Sequence, residues 1–113
     1  MLCKITDPDG APLALAGLRS TWHDPTGNAL PLRSCTIVTT TPNELMASIH
    51  SRMPVILPRE AWDLWLDTAT DAAELTALLR PYSGNLMAWR VSTLVNNPTN
   101  DGRALIEASL ADA

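Results

Sequence analysis

Residues 49–57 read Ile-His-Ser-Arg-Met-Pro-Val-Ile-Leu (IHSRMPVIL), and the order of those residues sets the reading of the whole chain. Met53, Pro54, Val55, Ile56 and Leu57 form a continuous apolar run that reads as a strand. Just upstream a helix start is marked. Thr41 is placed to N-cap, Pro42 fits the first helical position and Glu44 completes a capping box. Leu45, Met46 and Ile49 supply its apolar stripe, and the helix is spent by His50.

Outward from this segment, residues 34–41 (SCTIVTTT) are β-branched and read as a buried strand with Cys35, Ile37 and Thr39 on one side. Residues 12–21 carry apolar side chains at both parities: Leu13 and Leu15 on one, Ala14, Ala16 and Leu18 on the other. A strand apolar on both faces is expected to be central and buried on both. Between these two strands, residues 22–31 (WHDPTGNALP) have the composition of a loop. At the front, residues 3–6 alternate as a short strand and lead into Asp7-Pro8-Asp9-Gly10, a type I turn signal.

Downstream, a helix starts near Pro58 and spaces Ala61, Leu64 and Trp65 along one face. A second is capped by Asp71 with Glu74 three residues on; Leu75, Leu78 and Leu79 form its stripe and Pro81 stops it. Residues 87–93 (MAWRVST) are a last strand, followed by a turn-rich stretch over 96–102. The pattern is α+β without a βαβ rhythm, and residues 1–113 read as a single domain.

Composition narrows the function classes. Hydrophobic residues make up 46% of the 113 and charged residues 18%, which supports a packed core over disorder. Eight Lys+Arg against twelve Asp+Glu leave a net charge of −4, so gripping nucleic acid by bulk charge is disfavoured, while a local basic groove is not. No apolar run is long enough to span a bilayer, so no membrane partner is expected. Cys3 and Cys35 form neither a CxxC nor a disulfide framework, which makes a reducing cytoplasm the expected compartment. The four tryptophans are expected to fill core space.

The common catalytic signatures GxSxG, HExxH, the P-loop and GxGxxG are missing from the sequence. His23 and His50 lie far apart without metal-ligand spacing, and neither a metal nor a cofactor is expected. The turn at Asp7 has two carboxylates but lacks the other ligands of a calcium loop. One cluster stands out. His50 ends a helix and Arg52 leads into a strand, so an imidazole and a guanidinium can face one pocket, bind a phosphate and donate a proton. Thr39, on the preceding strand and pointing inward, can hydrogen-bond in the same pocket. The bland alternative is a capping histidine beside a surface arginine.

At this cluster the sequence resembles the SRAP family, the SOS response-associated peptidases. The segments are residues 13–18 (LALAGL), 34–40 (SCTIVTT), 49–57 (IHSRMPVIL) and 95–106 (VNNPTNDGRALI), with His-x-Arg-Met-Pro the most specific. The resemblance implies a mixed or antiparallel sheet or partial barrel with about three short flanking helices. It also implies a role in the DNA damage response: sensing abasic sites in single-stranded DNA by covalent cross-linking, with autoproteolytic peptidase activity. In that family a cysteine exposed by Met removal condenses its amine and thiol with the ring-opened sugar to a thiazolidine, assisted by an Asn, a Glu and the His of H-x-R-M-P. By that resemblance His50 is catalytic, and Arg52 and Thr39 contact DNA.

The resemblance maps onto the C-terminal half of the family domain, and the cysteine, Asn and Glu segments have no counterpart here. Leu2 is too large for normal Met removal, so Cys3 is expected to keep a peptide-bonded nitrogen and to be a core or edge thiol. Three readings follow. The chain acts as the family does, or it is a truncated, catalytically incomplete binding remnant, or it pairs with a separately encoded N-terminal half. A doubly apolar strand left uncovered favours association, so a homo-oligomer is expected.

Overall fold

The structure is a computed structural model that describes residues 2–109. Eight strands are present among those residues. They are β1 (Cys3–Thr6), β2 (Ala14–Leu15), β3 (Gly17–Trp22) and β4 (Leu32–Ile37), then β5 (Thr39–Thr40), β6 (Met53–Pro54), β7 (Ile56–Leu57) and β8 (Met87–Arg90). Three short helices accompany them: α1 (Glu44–Ala47), α2 (Trp62–Leu66) and α3 (Ala72–Ala77). The class is α+β, as expected, built from small antiparallel pairs rather than a closed barrel. β1 pairs with β8, β2 with β7, β3 with β4 and β5 with β6.

Three of these pairs radiate from one point. The segments 14–22, 32–40 and 53–57 each run through two strands, and each changes partner at a single residue: Ala16, Val38 or Val55. These three close a ring of backbone hydrogen bonds. Ala16 N–H donates to the Val55 carbonyl (2.8 Å), Val55 N–H to the Val38 carbonyl (2.8 Å) and Val38 N–H to the Ala16 carbonyl (2.9 Å). No donor or acceptor in the ring needs water, which is what allows the point to be fully enclosed.

The core lies on either side of the strand 53–57. Val55 and Leu57 pack with Ala16 in one cluster, covered by Val38, Trp62, Trp65, Leu78 and Leu79. Met53 and Ile56 pack with Met46 in the other, covered by Ile5, Leu13, Ile49, Tyr82 and Leu86. The strand buried on both faces is therefore 53–57 and not 12–21. In the latter stretch Ala16 is fully buried, but Leu15 and Leu18 are exposed and every residue of β3 lies open. β4 is open as well, so Cys35 and Ile37 are not the interior side of a buried strand. Alternation reports how many faces of a strand are apolar. It does not report which layers are present to cover them.

The local signals hold better than the burial. Gly10 N–H closes the turn onto the Asp7 carbonyl (3.0 Å), and Gly10 takes the positive φ of +77° that glycine tolerates. In the loop after β3, the Asp24 carboxylate accepts from the backbone N–H and hydroxyl of Thr26 and from the N–H groups of Ala29 and Asn28. Those bonds, Thr26's first, hold its carboxyl below the ordinary 3.8. Asp71 caps α3 through Glu74 N–H (2.8 Å), as its spacing predicts.

The start of α1 is different. Its N-cap is Asn43, whose Oδ1 accepts from Met46 N–H (3.0 Å), and not Thr41. Asn43 wins because its amide serves two ends at once: Nδ2 donates to the Tyr82 carbonyl (3.1 Å) on a distant segment. Asn43→Ala is expected to lose about 1–2 kcal/mol in urea denaturation, whereas Thr41→Ala should stay within about 0.5 kcal/mol of the parent.

Three tryptophans are half-buried, with each indole N–H donating to a carbonyl: Trp62 to Leu57, Trp65 to Gly17 and Trp89 to Ile106. Trp22 departs from the core-filling expectation, at 53% exposed on the end of β3.

Candidate functional site

The helical turn α1 ends at Ala47, and the N–H groups of Ile49 and His50 both fold back onto the Met46 carbonyl (2.9 and 2.8 Å). His50 thus sits just past the helix end, where the Leu45, Met46 and Ile49 stripe places it. Its imidazole turns toward the chain ahead of it. Nδ1 accepts from Arg52 N–H (3.0 Å) and lies 3.1 Å from the Arg52 carbonyl oxygen. The other ring nitrogen, Nε2, has no protein partner among the described residues.

Arg52 is drawn to the opposite strand. Both Nε and Nη2 donate to the Thr39 hydroxyl oxygen, at 3.0 and 2.9 Å. The register explains the meeting. Thr39 pairs with Pro54 and Thr40 with Met53, which brings Thr39 alongside the residue that leads into β6. The forked contact uses two of the five guanidinium donors and leaves three directed at solvent.

His50, Arg52 and Thr39 are therefore brought together, as the sequence suggests. The differences are that Thr39 is exposed rather than inward, and that it addresses Arg52 instead of facing a pocket. The site is an open ledge. Among the described residues neither His50 nor Arg52 is bonded to a carboxylate, so the guanidinium charge is uncompensated and its orientation is fixed. A fixed, planar, unpaired guanidinium suits a phosphate oxygen pair. Beside it, Nε2 of His50 is available to hand over or receive a proton.

No cluster of three or more His, Cys, Asp or Glu side chains suited to a metal forms among the described residues, and none of their helices is long and apolar enough to cross a membrane. Both cysteines are free thiols. Cys3 lies in β1 opposite Arg90 and Cys35 in β4 opposite Arg19, so each has its nitrogen in a peptide bond within a strand. Sequence reasoning missed one feature, a groove of about 710 Å³ between the β3–β4 ribbon and α2, whose walls include Leu18, Ile37, Trp65, Leu66 and Leu75. Its residues come from three distant segments, and no local pattern announces it.

Known proteins are similar to this chain over most of its length. The abasic site processing protein YoqW of Bacillus subtilis is 52% identical over 97 residues, which is 84% of this chain and 42% of YoqW. YoaM of the same organism, also an abasic site processing protein, is 44% identical over 93% of this chain and 46% of its own length. The chicken (Gallus gallus) abasic site processing protein HMCES is 41% identical over 79% of this chain and 26% of its own. A crystal structure of a protein from Bacteroides thetaiotaomicron superposes with a TM-score of 0.79 at 26% identity, over 96% of this chain and 48% of that one. The chain thus spans less than half the length of the curated relatives it matches. Residues 3–98 match the family described as SOS response associated peptidase, and the chain belongs to that family.

Proposed function

We propose that this chain serves abasic-site processing in single-stranded DNA as the part that holds the strand and moves protons. Arg52 takes a phosphate beside the damaged nucleotide, Thr39 fixes the guanidinium for that contact, and His50 presents Nε2 to the opened sugar as a proton donor or acceptor. One observation carries the reading. Arg52 is clamped by two hydrogen bonds to Thr39 and has no carboxylate partner among the described residues, next to an imidazole with an open Nε2. Two relatives that share this stretch, at 52% and 44% identity, are abasic site processing proteins. The free cysteines fit a protein of the reducing cytoplasm.

The covalent step associated with the family does not fall to these residues. A thiazolidine forms when the amine and thiol of one cysteine both bond to an aldehyde carbon and water leaves. Cys3 and Cys35 lack the free amine, because both are strand residues inside peptide linkages. In this reading the 113-residue chain binds and positions, and by itself makes no adduct.

The experiment is titration of the chain with single-stranded DNA holding one abasic site, read by fluorescence anisotropy across a salt series, with intact-mass measurement of the same mixtures. Expected are a binding constant that falls as salt rises and a protein mass that does not change. Affinity indifferent to salt, or a DNA-derived mass increment on Cys3 or Cys35, would sink the proposal.

A further inference from the structure

Two aspartates of this chain are followed by glycine, in the steps Asp9–Gly10 and Asp101–Gly102, and no asparagine is. Such a step has a side reaction of its own. The glycine nitrogen can attack Cγ of the preceding aspartate, because no Cβ on the glycine obstructs the five-membered ring that forms. Both steps are exposed, both glycines take positive φ (+77° at Gly10, +118° at Gly102), and nothing lies within 4 Å of where a Cβ would stand on either. Sterically the two are alike.

Hydrogen bonding separates them. Gly10 N–H is committed to the Asp7 carbonyl (3.0 Å), and the Asp7 carboxylate accepts from Asp9 N–H (2.8 Å) and Ala11 N–H (3.3 Å). That turn directs the Gly10 nitrogen to Asp7 and not to the Asp9 carboxylate. At the second step Gly102 N–H donates to Oδ1 of Asp101 itself, at 2.7 Å. The carboxyl group thus rests against the nitrogen that must capture it, and proximity of this kind is what raises an intramolecular rate.

We propose that Asp101 is a self-modification site, closing on Gly102 to a succinimide that opens to a β-linked aspartate. The Gly102 nitrogen bonds to Asp101 Cγ, the Cγ–O bond of the protonated carboxyl breaks, and the amide hydrogen leaves with that hydroxyl as water. Water then adds to the main-chain carbonyl carbon of Asp101 and breaks its bond to the Gly102 nitrogen. The chain now runs through Cγ and carries a free α-carboxylate. The product lengthens the backbone by one carbon just before the 3-10 turn Arg103–Ile106. The Ile106 carbonyl accepts the Trp89 indole N–H (2.9 Å), and Ser109 N–H donates to the Arg90 carbonyl (2.8 Å). These two bonds strap the segment after Gly102 across β8, and the extra carbon slackens that strap at Trp89.

The chemistry uses neither His50, Arg52 nor Thr39, so its fate is separate from that of the DNA-binding proposal. The whole chain is incubated at mildly acidic pH and body temperature, with and without urea. It is then peptide-mapped by electron-transfer fragmentation, which distinguishes β-linked from α-linked aspartate. Expected in buffer is a species lighter by one water at residues 101–102, followed by β-linked aspartate at 101 in at least ~5-fold excess over 9. In urea the excess should vanish, because each step then presents only its local sequence. In the isolated β-linked form the Trp89 indole N–H should exchange with solvent faster than in the parent. Equal yields at 9 and 101 in buffer, or an excess at 101 that survives urea, overturns the proposal. So does a β-linked form in which Trp89 exchange is unchanged.

Discussion

Val55→Asp is expected to abolish cooperative unfolding of this chain. Val55 is 0% exposed, packs against Ala16 and Leu57, and supplies one donor and one acceptor to the three-residue backbone ring. An aspartate there has no cation within the cluster, so it is either an unpaired buried charge or a carboxyl protonated at a large cost. Either way the loss exceeds about 4 kcal/mol, a large share of what a domain of this size holds in reserve. The check is a thermal melt followed by near-ultraviolet circular dichroism. The parent should show one sigmoidal transition and the variant none. A native-like melt for the variant would mean that the ring is not the centre of the core.

Arg52→Ala should lower affinity for abasic-site DNA at least ~10-fold, since a charge-assisted contact to phosphate contributes about 1.5–3 kcal/mol. The slope of log affinity against log salt should shrink by about 0.7, the share of one phosphate contact on a single strand. Thr39→Val tests a different role. It removes the oxygen that holds Nε and Nη2 but leaves the charge, so affinity should fall only about two- to five-fold with the salt slope unchanged. In the Arg52→Ala background Thr39→Val should add nothing. Additive effects would assign Thr39 its own contact with DNA and remove its positioning role.

What the sequence made legible was short-range. The Asp7–Gly10 turn, the Asp71 cap, β1, β8 and the strand at 53–57 all rest on residues within one turn or one alternation of each other. His50 and Arg52 are two residues apart, and their proximity was readable for the same reason. Thr39 lies beside Arg52, as its placement on the preceding strand suggests, but in a different posture from the one expected. Its partner depends on the Thr39–Pro54 register, which joins segments separated by the whole of α1. The burial of 12–21 failed on a different ground. Leu13, Leu15 and Leu18 state an apolar preference on both faces, and the described residues provide no second layer over β3 to honour it. The cap of α1 was misplaced by two residues because Asn43's advantage is its bond to Tyr82, 39 positions away.

The ring at Ala16, Val38 and Val55 also governs where this molecule tolerates change in length. Each of its three residues hands the chain from one two-stranded arm to the next, so the arms meet at the ring. The loop between β3 and β4 hangs at the far tip of one arm, tied mainly to itself through Asp24. Residues inserted there extend that arm outward and leave the Thr39–Arg52 ledge where it stands. A single residue inserted between Val38 and Thr39 would instead rotate Thr39 to the opposite side of its strand and strand Arg52 without its anchor. Length variation within such a fold is therefore confined to arm tips, and the hub admits none.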